Sequence, residues 1–175
     1  TLSPETLGFD PEQLAERYRI ERSKRLRDDA ESQFIEVTND SAFANEYMAH
    51  DPYNGIIERE PIKDLREVIV IGGGWVGMMT ATRLIQSGVT DVRIVESGTD
   101  FGGTWYWNRY PGAQCDIESY SYLPLLEETG YIPKLRYSYA PEIFEHAQRI
   151  GKHFVLYKDA VFQTSVTELL RDADE

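Results

Sequence analysis

Cysteine is almost missing from this 175-residue chain: Cys115 stands alone, so no intrachain disulfide can form and nothing favours a secreted fold. Histidine is nearly as scarce. His50, His146 and His153 lack the spacing of metal ligands, and the seven-residue step between the last two predicts solvated positions on one helix rather than a metal site. Positive charge is in deficit, with a formal balance of −12, which argues against nucleic acid as a partner because phosphate needs the opposite sign. The same balance gives no reason to expect an anionic membrane surface. No apolar run approaches the ~20 residues of a membrane span, and no signal-peptide core opens the chain. The expectation is a cytoplasmic protein without a membrane partner, long enough for one domain with a core and too short for two large ones.

Residues 1–63 are polar and carry no nucleotide pattern, which predicts a partly helical N-terminal extension ahead of a domain over 64–175. Asp10-Pro11-Glu12 is a helix start, with an N-cap carboxylate followed by proline in the first turn, and predicts a helix from Pro11 to about Asp28. Its apolar stripe (Leu14, Tyr18, Leu26) is thin and interrupted by Arg22. Six basic residues, Arg17, Arg19, Arg22, Lys24, Arg25 and Arg27, crowd it; a solvated helix packed on the acidic body of the protein or on a missing partner segment accounts for them more simply than a docking or phosphate-binding surface. Phe34–Val37 reads as a short extended piece, Ser41–Tyr47 as a helical turn and Asp51–Gly55 as a turn.

From Leu65 the pattern changes. Glu67–Ile71 reads as a buried strand running into Gly72-x-Gly74-x-x-Gly77, and Trp75–Ser87 as the helix that follows. The glycines divide the work. Gly72 permits the tight turn, Gly74 lets a pyrophosphate approach bare backbone, and Gly77 lets the helix lie close to the sheet. Phosphates would then face the unpartnered N–H groups at the helix start. Val92–Val95 is a second strand, ending in Glu96 nineteen residues after Gly77. A carboxylate there suits the two hydroxyls of an adenosine ribose and repels a 2′-phosphate, so the pattern predicts FAD or NAD at this first site in preference to NADP.

Gly102-Gly103 offers a second place where backbone can approach a ligand. The segment after it, Thr104-Trp105-Tyr106-Trp107-Asn108-Arg109-Tyr110-Pro111-Gly112, interleaves aromatic and polar residues as a shaped wall beside a planar cofactor would. Pro141 opens a further helix to about His153. Phe154–Leu169 reads as short strands, Phe162–Leu169 the better, and the acidic tail from Leu170 as a hairpin loop.

The order Gly-Gly-Thr-Trp-Tyr-Trp-Asn-Arg-Tyr-Pro-Gly-x-x-Cys-Asp over 102–116, with Gly72, Gly74, Gly77 and Glu96, resembles the start of a Baeyer–Villiger monooxygenase. The resemblance covers about Asp64 to Leu170. Residues 1–60, including Glu21–Arg27, are similar far less specifically to an N-terminal extension. It implies an α/β Rossmann-like FAD-binding fold of the flavoproteins that carry two dinucleotide-binding domains. It also implies FAD and NADP as cofactors, and a ketone and O2 as substrates that give an ester or lactone through a peroxide at flavin C4a. By position, it puts Gly72, Gly74 and Gly77 on the FAD pyrophosphate and Glu96 on the ribose. Gly103 lies at the second approach, and Thr104, Trp105, Tyr106 and Trp107 along the flavin and its ribityl chain. Asp116 sits near the isoalloxazine, orienting a catalytic arginine, and with Gln114 and Cys115 borders the nicotinamide. Tyr122 contacts FAD again, and Val166 offers backbone to the adenine.

The resemblance stops where the family continues. A second glycine fingerprint, the flavin-side arginine and a Phe-x-Gly-x-x-x-His-x-x-x-Trp/Asp signature do not occur in the sequence. The expectation is therefore an incomplete fold, an N-terminal piece completed by a second polypeptide. A stand-alone dinucleotide-binding or interaction subunit, and a flavoprotein-fold enzyme without oxygenation, remain open as alternatives, since fold does not fix function.

Overall fold

The computed structural model describes residues 4–34 and 51–171 and divides the chain into two units, Thr1–Ala49 and His50–Glu175. The extended piece and helical turn expected between residues 35 and 47, His50 and the last four residues of the tail lie outside the described residues. The expected boundary after residue 63 falls inside the second unit. Ile57 N–H donates to Gln163 Oε1 (2.6 Å) and Arg59 to the Phe162 carbonyl (2.8 Å), so residues 51–59 are part of the later body.

In the first unit, α1 (Pro4–Leu7) precedes α2 (Pro11–Ser23). The Asp10 carboxylate accepts from Glu12 N–H (2.9 Å) and Gln13 N–H (3.4 Å), satisfying first-turn donors as its N-cap position predicts. The helix stops five residues before Asp28. Arg25 N–H bonds to the Arg22 carbonyl (2.9 Å), tightening the last turn, while Ser23 Oγ and the Arg25 guanidinium take the carbonyls of Arg19 and Glu21. No residue of α2 is buried, and basic side chains on it and just past its end pair with close neighbours: Arg19 with Glu16, Lys24 with Glu21, Arg27 with Asp29. That is the solvated face the composition predicts.

In the second unit, β1 (Val68–Ile71) runs parallel to β2 (Val92–Val95), with Val70 opposite Ile94 and Ile71 opposite Val95. Between them α3 (Trp75–Gln86) makes the crossover that a parallel pair requires and ends just before Gly88, which takes a positive φ of 96°. Val70, Val92 and Ile94 share one sheet face and pack on Met78 and Ala81 of α3, with Phe101, Ala147, Ile150 and Leu156 completing that core. The opposite face is open. Ile69 and Ile71 are 56% and 53% exposed, so β1 is half-buried and not the fully buried strand its Val-Ile-Val-Ile run predicts.

Three short helices follow: α4 (Thr104–Trp107), α5 (Ser119–Tyr122) and α6 (Leu126–Thr129). The long α7 (Ala140–His153) closes the core, with Ile143, His146, Ala147 and Ile150 on one buried stripe at helical spacing. A 3-10 turn at Leu156–Lys158 comes next. Of the strands expected over Phe154–Leu169, a single parallel bridge from Val161 to Val95 forms. Gln163 N–H and Thr164 N–H then bond to the carbonyls of Gly98 (2.8 Å) and Glu96 (2.9 Å), but Gln163 sits at φ 48°, which breaks the extended run. Among the described residues, no helix is long and apolar enough to cross a membrane.

His146 overturns the solvated expectation: it is fully buried. The Pro124 carbonyl can only accept, so Nε2 carries the hydrogen and donates to it (2.7 Å), leaving Nδ1 to accept from Arg149 (3.3 Å). Burial, helped by Arg149, pushes its pKa below the ordinary 6.5, against the opposing effects of the Pro124 bond and Glu142. Its neutral form is therefore the native one. The unfolded chain binds a proton that the fold refuses, so stability is fully present above about pH 6.5 and falls as the pH drops below it. Thermal melts between pH 7.5 and 5.5 are expected to show a loss of Tm that His146→Gln, which can still donate to Pro124, abolishes in part; equal slopes would refute this. Thr82 gives a second expectation. It is fully buried on α3, and its hydroxyl has no hydrogen-bond partner among the described residues. An unmade buried bond costs about 1–3 kcal/mol, so Thr82→Val raises the melting temperature by several degrees.

Candidate dinucleotide site

The site is built at the carboxyl ends of β1 and β2, where an open α/β sheet presents its ligands. Gly72 turns the chain out of β1 at φ 94°, a conformation closed to most side chains, and its N–H still bonds to the Val95 carbonyl (2.8 Å). Gly77 faces back on that turn: a Cβ there would collide with the Gly72 carbonyl oxygen. Helix α3 therefore starts directly against the strand end. Its hydrogen-bond ladder begins with Met78 N–H to the Gly74 carbonyl (3.0 Å), and the amides before it have no carbonyl one turn behind them. These are the donors and the positive helix end that an anion would meet.

The second glycine turn packs on the first. Gly102 N–H donates to the Gly73 carbonyl (2.9 Å), and Gly103, at φ 52°, lies so close that a Cβ on it would come within 2.9 Å of Gly74 Cα. Gly74 differs from its neighbours. Its φ is −79°, and a Cβ would meet only Gly103 Cα at 3.6 Å, an ordinary contact. Neither conformation nor packing within the chain demands glycine there. Between the turns runs a groove of about 360 Å³, lined by Ile71, Gly72, Gly74, Gly77, Gly103 and Thr104, with Trp75, Trp105 and Tyr122 as its aromatic side.

The glycines, Thr104, Trp105 and Tyr122 of the sequence-predicted set thus come together. Trp105 donates from Nε1 to the Tyr122 hydroxyl (2.7 Å), and the two rings meet edge to face at 5.8 Å, which fixes both against the groove. Glu96 reaches the same turns from behind. It is 4% exposed, and its carboxylate accepts from Gly73 N–H (2.5 Å), Gly98 N–H (2.6 Å) and Ser97 Oγ (3.1 Å). Oε1 accepts from both Gly98 and Ser97, while Oε2 accepts from Gly73 alone and keeps one lone pair.

Other expected residues lie elsewhere. Tyr106 is buried behind α4, its hydroxyl donating to Asp51 and bonding Thr99 Oγ1 (2.6 Å), and it does not line the groove. Trp107 packs edge to face on Tyr106, 4.9 Å between centroids, also off the groove. The aromatic wall expected over 104–110 is therefore a single helical turn with two faces. Gln114, Cys115 and Asp116 follow on a segment bridged to Tyr139. Gln114 donates to the Tyr137 carbonyl (2.8 Å), Cys115 is buried with its thiol accepting from Ile117 N–H (3.4 Å), and Asp116 is exposed. Val166 is 40% exposed on an irregular segment away from the groove. Among the described residues, no three His, Cys, Asp or Glu side chains gather as a metal site. Trp75, on the aromatic side of the groove, is not among the residues the sequence pattern assigns to the site. Trp75 stands at the first helical position beside the third glycine of the run, and its adjacency to the glycine turn was the available signal.

Comparison with known proteins places this geometry. The family of NAD(P)-binding Rossmann-like domains matches residues 70–160. A Baeyer-Villiger monooxygenase, ATR8, of Stachybotrys chlorohalonatus is 51% identical over 163 residues, covering 93% of this chain and 26% of that protein. Those 163 residues are more than the stretch from Asp64 can hold, so the likeness extends into the N-terminal extension. A solved polycyclic ketone monooxygenase from Thermothelomyces thermophila superposes with a TM-score of 0.76 at 41% identity, over 87% of this chain and 25% of that one. The structure of OTEMO in complex with FAD and NADP gives a TM-score of 0.55 at 34% identity, over 58% and 19%. The chain spans about a quarter of the length of the curated relatives it matches. The matches agree with the strand, glycine turn and helix described above: the chain belongs to the NAD(P)-binding Rossmann-like domain family, and its sequence matches the N-terminal portion of Baeyer–Villiger monooxygenases.

Proposed function

We propose that this chain is the FAD-cradling part of a FAD- and NADPH-dependent Baeyer–Villiger monooxygenase acting on a ketone and O2 to give an ester or lactone. The observation that carries the reading is Gly74. It lies at the mouth of α3, opposite Gly103, and nothing among the described residues needs glycine there, so the missing side chain serves a ligand that must touch backbone. A dinucleotide pyrophosphate has the charge and the slenderness for that place.

When bound, the flavin supplies the redox chemistry and the reaction with oxygen. The protein's part is to bind and to orient. Backbone amides at the start of α3 would hold the pyrophosphate, Glu96 the ribose, and Thr104, Trp105 and Tyr122 the flavin side of the groove. Gln114, Cys115 and Asp116 would border the nicotinamide. The exposed Asp116 carboxylate is the group available to orient an arginine from the rest of the fold. Val166 backbone would serve the adenine. The open sheet face of Ile69 and Ile71 supports completion by further polypeptide, a second chain included, and counts against a stand-alone module, since an apolar sheet face seeks cover. A cytoplasmic setting accords with the lone thiol of Cys115.

Two glycine variants test the reading. Gly74→Ala keeps the fold within about 1 kcal/mol, the cost of alanine at an N-cap, while FAD affinity measured by flavin fluorescence falls at least tenfold. Gly77→Ala drives a methyl into backbone and costs roughly 1–3 kcal/mol or more of stability, lowering the melting temperature whether or not flavin is present. Wild-type affinity in Gly74→Ala, or a wild-type protein that takes up no flavin, would sink the proposal.

A further inference from the structure

The aromatic turn α4 has a second face, and that face is occupied by the chain's own residues 51–59. Tyr106 donates its hydroxyl to Asp51, whose other oxygen accepts from Tyr53 N–H (2.9 Å). Thr99 ties into the same group through its N–H to Asp51 (3.0 Å) and its hydroxyl to Tyr106 (2.6 Å), and Asn54 donates to that Thr99 hydroxyl (2.6 Å). Tyr53 donates to the Trp107 carbonyl (2.6 Å), on the last residue of α4. Its ring lies beneath the Arg109 guanidinium at 4.0 Å and meets Tyr106 edge to face at 5.8 Å, while Arg109 Nε donates to the Tyr106 carbonyl (2.9 Å). Farther along, the Gln163 side chain accepts from Ile57 N–H (2.6 Å) and donates to the Gly55 carbonyl (2.9 Å), as a strand partner would.

The polar side chains of this contact are chosen for each other. Burial works against charge on Asp51, yet the bonds from Tyr106, Tyr53 and Thr99 outweigh it and hold the carboxyl below the usual carboxylate range; burial and the Asp51 bond push the Tyr106 phenol up. Both partners thus stay in the forms that bond. The consequence runs through α4. One helical turn cannot rotate Tyr106 without moving Trp105 and Thr104, its neighbours on the groove side.

We infer that residues 51–59 form a clasp, recognised by Tyr106 and Arg109, and that these two are positioning residues which set the groove wall from behind without touching the ligand. Half of the aromatic motif then serves the clasp and half serves the groove. The flavin consequence rests on the function proposed above; the clasp itself does not.

Two conservative variants separate these. Tyr106→Phe removes the bond to Asp51, and Tyr53→Phe removes the bond to Trp107, each sparing the packed ring. Amide hydrogen exchange on the whole chain without cofactor is expected to quicken at least tenfold at Ile57 and Thr99 in both variants, and at Trp107 and Asn108, whose amides close α4. FAD affinity is expected to fall at least fivefold in the folded variants, with Tyr53→Phe doing so although Tyr53 lies outside the groove. Faster exchange at Ile57 and Thr99 with α4 and FAD affinity unchanged would overturn the inference, leaving a passive strap. Coupled exchange in both variants together with a wild-type chain that binds no FAD would support the clasp and refute the flavin reading instead.

Discussion

A buried carboxylate joins the first glycine turn to the loop that leads into the second. Glu96 leaves the end of β2 and accepts from Gly73 in the first glycine turn and Gly98 in the loop that leads to the second. A buried charge is costly unless it is hydrogen-bonded on every side, and here Ser97 adds a third donor. Gly73 has no room for a side chain: a Cβ would meet Glu96 Oε2 at 3.0 Å and the Phe101 ring at 2.9 Å. Strand order, turn conformation and loop position thus converge on one side chain. The cradle holds its shape through contacts internal to the chain, which is what preorganisation means for a cofactor site.

The backbone around that carboxylate was legible in the sequence because its determinants are local. Four β-branched residues, a glycine run, a helix of small and apolar residues and a second strand leave little freedom once read together, and the observed bounds fall within a residue or so of expectation. The outer face of β1 was not legible. Val-Ile-Val-Ile states that a strand is apolar and does not state how many of its faces are covered. Phe162–Leu169 failed for the opposite reason. Its residues have strand propensity, but a strand exists through its partners, and past Val161 the positive φ of Gln163 turns the chain off the ladder.

His146 and Tyr106 show how tertiary direction escapes composition. Histidine is polar by type, yet the step from Ile143 through His146 and Ala147 to Ile150 is a buried helical stripe, and the pattern was present to be read. Once inside, the ring is kept by a carbonyl on one nitrogen and a guanidinium on the other, with Tyr131 stacked 5.2 Å away. Tyr106 belongs to a motif whose chemistry suggested a ligand, and Thr104 and Trp105 of that motif do line the groove. But α4 is a helical turn, so consecutive residues point in different directions and an aromatic run cannot line one wall. The partner of Tyr106 is Asp51, fifty-five residues earlier, beyond the reach of any local pattern.

A motif that serves two neighbours constrains both. Trp105 must keep its bond to Tyr122 on the groove side while Tyr106 keeps Asp51 on the other, so the turn is held from two directions and its orientation is over-determined. The Asp51–Arg59 stretch is irregular backbone, and irregular backbone is fixed only by the bonds it makes; those bonds are spent on Thr99, Trp107 and Gln163, all of them on segments adjoining the groove or β2. A stretch that merely connected two units would have no need of them. Its side chains are arranged instead as part of the wall's foundation, which ties the chain ahead of β1 to the geometry of a site formed after it.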